Sequence, residues 1–146
     1  MSFEAGAIGQ PGPVTNTFEL RLPGEVRAIS TATDSLSAKL QQLQIPEEKQ
    51  LDIILAVQEA LANAIVHGCK NDPSKEVRCR FEQYASGRIL IVVSDPGPGY
   101  SPTQLPNPMT ADHLYEDHGR GIYLIRQLMD NVSFEDNGSQ IRMWKY

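Results

Sequence analysis

The sequence EALANAIVHG, residues 59–68, ends a long helical pattern and sets a carboxylate and an amide among small residues. Pro46 and the two glutamates after it start this helix, because proline fits a first turn and acids favour the positive end of the dipole. Gly68 is a natural stop, so the helix is predicted to run to about residue 67. At about 100° per residue, Glu59 and Asn63 lie ~40° apart, one turn from each other. They lie opposite the apolar side of the helix, which consists of Leu51, Ile54, Leu61 and Ile65.

This polar face suits a ligand site, because the residues that flank it are small enough to admit a bulky group. The flanking residues are Ala56, Ala60, Ala62 and Ala64. The Glu59 carboxylate can accept a proton or orient a hydroxyl, and the Asn63 oxygen is a hard ligand suited to Mg²⁺. Considered alone, however, the helix is better explained as an amphipathic helix with a solvated polar face.

The motif DPGPG begins at Asp95, directly after the run ILIVV at residues 89–93. A continuous β-branched run is typical of a central strand that is buried on both faces. At the end of such a strand, Asp95 can accept a hydrogen bond from an exocyclic amine such as that of adenine, and Gly97 and Gly99 permit close approach. A common Pro-Gly turn explains the same residues. A dinucleotide-binding fingerprint is excluded, because Pro102 occupies the place of its third glycine.

The motif HGRGI, residues 118–122, is predicted to open the last helix. Free N–H groups at a helix start form an anion site, to which Arg120 could add charge, although a hinge before a helix has the same composition. Neither a P-loop nor the signatures of ordinary eukaryotic-type protein kinases are present.

Other patterns predict an α+β fold, a two-layer sandwich with a mixed, mostly antiparallel sheet. Residues 17–22 alternate as a strand, residues 25–43 have helical spacing, and residues 77–81 alternate again. Residues 121–130 return to helical spacing, and an Asn-Gly turn at 137–138 marks a final hairpin.

Composition restricts the function further. The chain of 146 residues has the size of one domain, and its net charge of −5 gives no basic surface for nucleic acid. No uninterrupted apolar run approaches the roughly 20 residues that cross a bilayer. Residues 1–15 are expected to be a flexible lead-in without a secretory signal. Cys69 and Cys79 lack metal-site spacing and are expected to be reduced thiols.

The three motifs, in this order, resemble the ATP-binding boxes of the GHKL superfamily, which comprises gyrase, Hsp90, histidine kinases and MutL. The ending NAIVHG and the motif GRGIYLI, which begins at Gly119, are similar to the anti-sigma-factor serine/threonine kinases of the stress-response and sporulation type. The resemblance covers residues 17–146. It implies the Bergerat ATP-binding fold over residues 16–146, with an ATP lid at about residues 100–118. Tyr100 and the proline-rich lid depart from the commoner pattern.

By this resemblance, Glu59 is the general base or orienting carboxylate for the phosphate acceptor, and Asn63 is a ligand of Mg²⁺. Asp95 is expected to bind the adenine amino group, with Gly97 and Gly99 shaping the pocket floor.

The glycines of the last motif have a separate role in the resemblance, which concerns the phosphates. Gly119 and Gly121 are expected to present backbone amides to them, and Arg120 is expected to be a weaker phosphate contact.

The resemblance also implies a function, which is transfer of phosphate from ATP to a serine of a small anti-anti-sigma (STAS-type) protein. Such a kinase alternatively sequesters a sigma factor. It is expected to be a cytoplasmic homodimer that contacts neither nucleic acid nor membrane. Two alternatives remain. One is an ATP-dependent module that sequesters a protein without phosphorylating it, against which the retention of Glu59 counts. The other is a stand-alone catalytic domain of a histidine kinase, against which the lack of a preceding phospho-accepting histidine helix counts.

Overall fold

A computed structural model describes residues 11–98 and 117–146, which form a sheet with helices on one face. The elements, in chain order, are β1 (Val14–Pro23), α1 (Ala28–Gln42), α2 (Glu47–Asn63) with a π-helical end (Ala64–Gly68), β2 (Glu76–Tyr84), β3 (Ile89–Ser94), α3 (Asp117–Leu128), β4 (Asn131–Glu135), a 3₁₀ turn (Asp136–Gly138) and β5 (Gln140–Lys145). The α+β prediction is confirmed. The expected lid at residues 100–118 lies outside the described residues, except for its last two positions.

The sheet has the strand order β1-β2-β3-β5-β4, and all of the pairings between described strands are antiparallel. β1 begins at Val14, within the expected lead-in, because β2 continues to Tyr84 and offers Val14 a partner there. The sequence pattern of residues 17–22 shows only the half-buried part of this strand, since its first residues are exposed on both faces.

β3 is the central strand, and its apolar run is buried on both faces as predicted. Its inner residues pack against the helices. These are Ile89, Ile91 and Val93. On the outer face, Val92 is 2% exposed and lies between Arg80 of β2 and Arg142 of β5 in the register. The long stems of these arginines can cover the apolar surface while their charged heads stay in water.

The core lies between the inner face of the sheet and the three helices. Its largest fully buried side chains include Phe81, Leu36, Leu40, Ile53, Leu61, Ile91, Ile125 and Met143. The Phe81 ring stacks on Phe18 of β1 with their centroids 4.6 Å apart. Burial of each of the core side chains contributes about 1.5–3 kcal/mol to the free energy of folding. The apolar contacts between the two layers therefore hold the helices on the sheet.

The segment Glu47–Gly68 is long and apolar enough, by length and composition alone, to cross a membrane. Asp52 and Glu59 interrupt it, so it is not a continuous apolar run. Its buried residues, which include Ile53, Val57 and Leu61, belong to the core that also contains β3 and α3. The segment is therefore the core helix of this domain, a class of helix that satisfies the same length and composition criterion.

Lys145, at the end of β5, fixes how α3 lies beside α2. Its Nζ atom lies 2.9 Å from Asp52 Oδ2 near the start of α2 and donates a 2.6 Å hydrogen bond to the carbonyl of Leu128 at the end of α3. The end of α3 is thus tied to the start of α2. The two helices run antiparallel, and the start of α3 reaches the end of α2.

Candidate functional site

Asp95 follows β3 and places its carboxyl group against the π-helical end of α2. The Gly97 amide donates a 2.8 Å hydrogen bond to Asp95 Oδ1, and the Asp95 amide donates to the carbonyl of Ser139, 3.0 Å away, in the β4–β5 hairpin. A Cβ atom on Gly68 would lie within 3.0 Å of the Asp95 carboxyl atoms, closer than real Cβ contacts. Desolvation raises the pKa of Asp95, and the Gly97 hydrogen bond opposes that rise. The half-buried carboxyl group is therefore held in one orientation by a backbone hydrogen bond.

Glu59 and Asn63 share one helix face, as predicted, and that face lies beside the start of α3. A Cβ atom on Gly121 would lie 2.9 Å from Glu59 Oε1 and 3.3 Å from Asn63 Nδ2. The lack of a side chain at Gly121 therefore lets both functional groups lie against α3. The structure brings Glu59, Asn63 and Gly121 together, although Gly121 follows Asn63 by 58 residues in the sequence.

The side-chain nitrogen of Asn63 is a buried polar atom. It is inaccessible to solvent and has no hydrogen-bond partner among the described residues. Leaving such a group unpaired costs about 1–3 kcal/mol, so it is usually retained for a ligand or an ion. The oxygen and nitrogen of the amide can exchange places by rotation, which would turn the oxygen toward the same position. Asn63 therefore fits the expected ligand of a magnesium-nucleotide complex.

A cavity joins Asp95 to Asn63. Its walls come from α2, α3 and the β4–β5 hairpin, and they are formed by Ala60, Asn63, Ala64, Asp95, Ile122, Phe134, Gly138, Ser139 and Ile141. The walls are mostly apolar, with one carboxyl group, one amide and one hydroxyl, that of Ser139. Apolar walls with a few placed polar groups are typical of small-molecule sites. The four hairpin residues among them are missing from the sequence prediction. Only the alternation of the last strand could have indicated Ile141 as an inward-facing residue.

The third motif opens α3, as expected from the sequence. α3 begins at Asp117, so the four amides that a helix start leaves free belong to residues 117–120, which include Gly119 and Arg120. Gly121 lies one residue beyond them and is buried. Gly99 lies outside the described residues. The expected phosphate contacts of Gly119, Arg120 and Gly121 remain predictions.

Both cysteines are free and buried, as expected for reduced thiols. Burial raises the pKa of the Cys79 thiol to about 12, and burial together with the Asp95 charge raises the pKa of Cys69. Neither sulfur is therefore a thiolate at neutral pH. Neither thiol belongs among the reactive groups of the site.

Comparisons with known proteins agree on one family. The family model described as "Histidine kinase-like ATPase domain" matches residues 22–145. The serine-protein kinase RsbW of Bacillus subtilis is 28% identical over 136 residues, covering 88% of this chain and 84% of that protein. The serine-protein kinase RsbW of Staphylococcus epidermidis is 31% identical over 142 residues, covering 88% of this chain and 86% of that protein.

One solved structure shows the same fold. It contains the RsbU and RsbW domains of a Mycobacterium tuberculosis protein and matches 90% of this chain with a TM-score of 0.61 at 17% identity. The match covers 32% of that longer chain, so it concerns one of its domains.

Proposed function

This chain belongs to the histidine kinase-like ATPase domain family, and on that premise we propose that it is a serine protein kinase and anti-sigma factor. It uses ATP as its phosphate donor. The observation that carries the proposal is the cavity that joins Asp95 to Asn63, because the residues proposed for adenine recognition and for magnesium then line the same cavity, with Glu59 one helical turn before Asn63. The name of the RsbW relatives, serine-protein kinase, supports the choice of a protein acceptor.

Asp95 is proposed to recognise the adenine amino group. An ionised carboxylate is only an acceptor of hydrogen bonds, and adenine offers an exocyclic N–H where guanine offers a carbonyl. The apolar walls of the cavity, which include Ile122 and Ile141, would cover the faces of the ring. The hydrogen bond from the Gly97 amide supports this role, because it fixes one carboxyl oxygen and so orients the group.

Asn63 is proposed to hold Mg²⁺ together with the nucleotide phosphates, and the ion would supply neutralisation of the phosphate charge. A magnesium ion at a nucleotide site commonly has few protein ligands, so one amide oxygen suffices. The free amides of the first turn of α3, among which are those of Gly119 and Arg120, are proposed to bind phosphate oxygens.

Glu59 is proposed to orient the acceptor serine and to take its proton. The serine oxygen forms a bond to the γ-phosphorus as the bond between that phosphorus and the ADP oxygen breaks, and the hydroxyl proton passes to the Glu59 carboxylate. Phosphoryl transfer depends mainly on such positioning and on charge neutralisation. The place of Glu59, one turn before the proposed metal ligand and against α3, supports the role.

The partners and boundaries are part of the same proposal. The acceptor is a small anti-anti-sigma protein, the alternative partner is a sigma factor, and the kinase is a cytoplasmic homodimer. The ATPase domain comprises residues 16–146, with Gly99 in the pocket floor and the lid at about residues 100–118. The family match over residues 22–145 supports the domain boundaries.

The proposal is tested by titrating the protein with ATP, with and without Mg²⁺, and by incubating it with labelled ATP and a cognate anti-anti-sigma protein. Magnesium-dependent binding and transfer of label to an acceptor serine are expected. Absence of binding at millimolar ATP would refute the nucleotide site. Tight ATP-dependent binding of a partner without transfer of label would instead show a sequestering module.

A further inference from the structure

Gly68 lies where α2 meets the motif that begins at Asp95, and the two backbones touch there. A Cβ atom on Gly68 would lie within 3.0 Å of Cγ and of both carboxyl oxygens of Asp95. A Cβ atom on Gly97 would lie 2.5 Å from the carbonyl oxygen of Gly68 and 2.7 Å from its Cα atom. The Asp95 carboxyl group therefore occupies the space that a side chain at position 68 would fill.

The end of α2 is shaped to make this contact. The Cys69 amide donates a 2.9 Å hydrogen bond to the carbonyl of Ala64, five residues earlier, so the last turn is wider than an α-helical turn. Such π-helical turns are uncommon and often occur at functional sites. The next residues, Lys70 and Asn71, have φ values of 55° and 58°, in the left-handed region that non-glycine residues rarely adopt. Strain of this kind persists where the surroundings impose a conformation.

We propose that Gly68 is a positioning residue for base selection, which acts by leaving space for the Asp95 carboxylate. The inference rests on the proposed function, in which Asp95 recognises the adenine amino group. Any side chain at position 68 displaces the carboxylate from Gly68 and from its hydrogen bond with the Gly97 amide. The displaced group no longer matches the adenine amine, and its preference for adenine over guanine declines.

The test compares ATP and GTP binding by the wild type and by Gly68→Ala, measured by calorimetry with Mg²⁺ present. The affinity of Gly68→Ala for ATP should fall about tenfold or more, in line with a misplaced polar contact, and the ATP-to-GTP affinity ratio should fall toward one. Two glycine variants are matched controls. Gly12→Ala crowds the Cβ atom of Ala85 at 3.2 Å, and Gly87→Ala places its Cβ atom where nothing lies within 4 Å. Both should keep the wild-type ratio, whatever they do to stability or turnover.

A double-mutant cycle with Asp95→Ala separates the contact from general damage. Gly68→Ala should lower the unfolding midpoint of the nucleotide-free protein, and most of that loss should vanish when Asp95→Ala removes the carboxyl group. If Gly68→Ala alone does not fold, folding of the double variant supports the contact, whereas failure of both overturns it. Equal losses in both backgrounds also overturn it.

The outcomes distinguish this inference from the proposed function. A changed ATP-to-GTP ratio in Asp95→Ala with an unchanged ratio in Gly68→Ala leaves Asp95 as the base-binding residue and overturns the role of Gly68. An unchanged ratio in both variants overturns the base-recognition role of Asp95 and the inference with it.

Discussion

Glu59 and Asn63 show how far residue-level prediction extends. Their helical spacing predicts a shared face, and the structure confirms it, because a Cβ atom on Gly121 of α3 would approach both side chains. The spacing could not show what lies opposite them, since that depends on how two distant helices pack. The role of Gly68 was equally hidden, because a glycine that ends a helix and a glycine that admits a carboxylate have the same signature in sequence.

The catalytic role of Glu59 predicts a selective loss of turnover. Glu59→Ala should reduce phosphoryl transfer to the acceptor about 10²-fold or more, as expected on losing a general base, while the affinity for ATP changes little. Initial rates with labelled ATP and calorimetric affinities measure the two effects. Glu48→Ala, which removes an exposed glutamate from the start of the same helix, is the control and should behave as wild type. Transfer at the wild-type rate by Glu59→Ala would remove Glu59 from the mechanism.

The metal role of Asn63 predicts a different pattern. Asn63→Ala should weaken binding of ATP in the presence of Mg²⁺ and also lower turnover, because it removes a metal ligand. The same variant should gain stability without nucleotide, since it eliminates a buried Nδ2 atom that has no partner among the described residues. Titrations with and without Mg²⁺, and urea unfolding of the nucleotide-free protein, test both effects. Unchanged magnesium dependence would contradict the assignment.

The raised pKa of Asp95 predicts that the stability of the protein depends on pH. Desolvation raises the pKa of Asp95 in the folded state. The ionised carboxylate therefore destabilises the folded protein, and this destabilisation is fully present above the folded pKa. The destabilisation disappears as the pH falls below the unfolded pKa. Asp95→Asn should therefore stabilise the nucleotide-free protein near neutral pH and weaken ATP binding, with the stability gain shrinking in acid. Urea unfolding of both proteins across the acidic range measures it, and a gain that is constant with pH would contradict the cause.

At the scale of elements, the apolar periodicity and the turn residues of the sequence predict each α-helix and strand that the structure describes. They do not predict where these elements begin and end. α3 begins at Asp117, several residues before its apolar spacing becomes visible, because the sequence of its first turn, DHGR, contains no apolar residue. The π-helical end of α2 had no sequence signal, since its hydrogen bonds differ from α-helical ones by a single residue. The cavity wall from the last hairpin depends on the pairing of β3 with β5, which is set by long-range register.

The contacts of Lys145 join three elements, so we expect a substitution there to lower the stability of the protein. Its side chain is 13% exposed and joins β5 to the start of α2 and the end of α3. Lys145→Met keeps the aliphatic stem and removes the charge, and it should lower the free energy of unfolding by about 1.5–3 kcal/mol, as for hydrogen bonds to charged groups. Arg78→Met, which breaks an exposed pair with Glu76, should cost less than about 1 kcal/mol. Equal losses in urea unfolding would show that Lys145 does not join these elements.

At the scale of the whole molecule, nucleotide binding should stabilise the entire domain, because the cavity is built from both helices and the sheet. ATP with Mg²⁺ at 100 times its dissociation constant should add about 2.7 kcal/mol to the free energy of unfolding. The thermal midpoint should rise accordingly, and the same concentration of GTP should raise it less. Equal shifts with both nucleotides would contradict selective recognition of adenine.

The position of β5 in the sheet has a consequence for synthesis on the ribosome. β3 is the central strand, yet one of its two neighbours is β5, which is translated about fifty residues later, and the same hairpin forms a wall of the cavity. A nascent chain that has emerged only through α3 exposes one edge of its most apolar strand, and such an edge readily pairs with other chains. It also lacks Phe134, Ser139 and Ile141, which line the cavity. If the cavity binds nucleotide as proposed, binding has to await emergence of the β4–β5 hairpin from the exit tunnel.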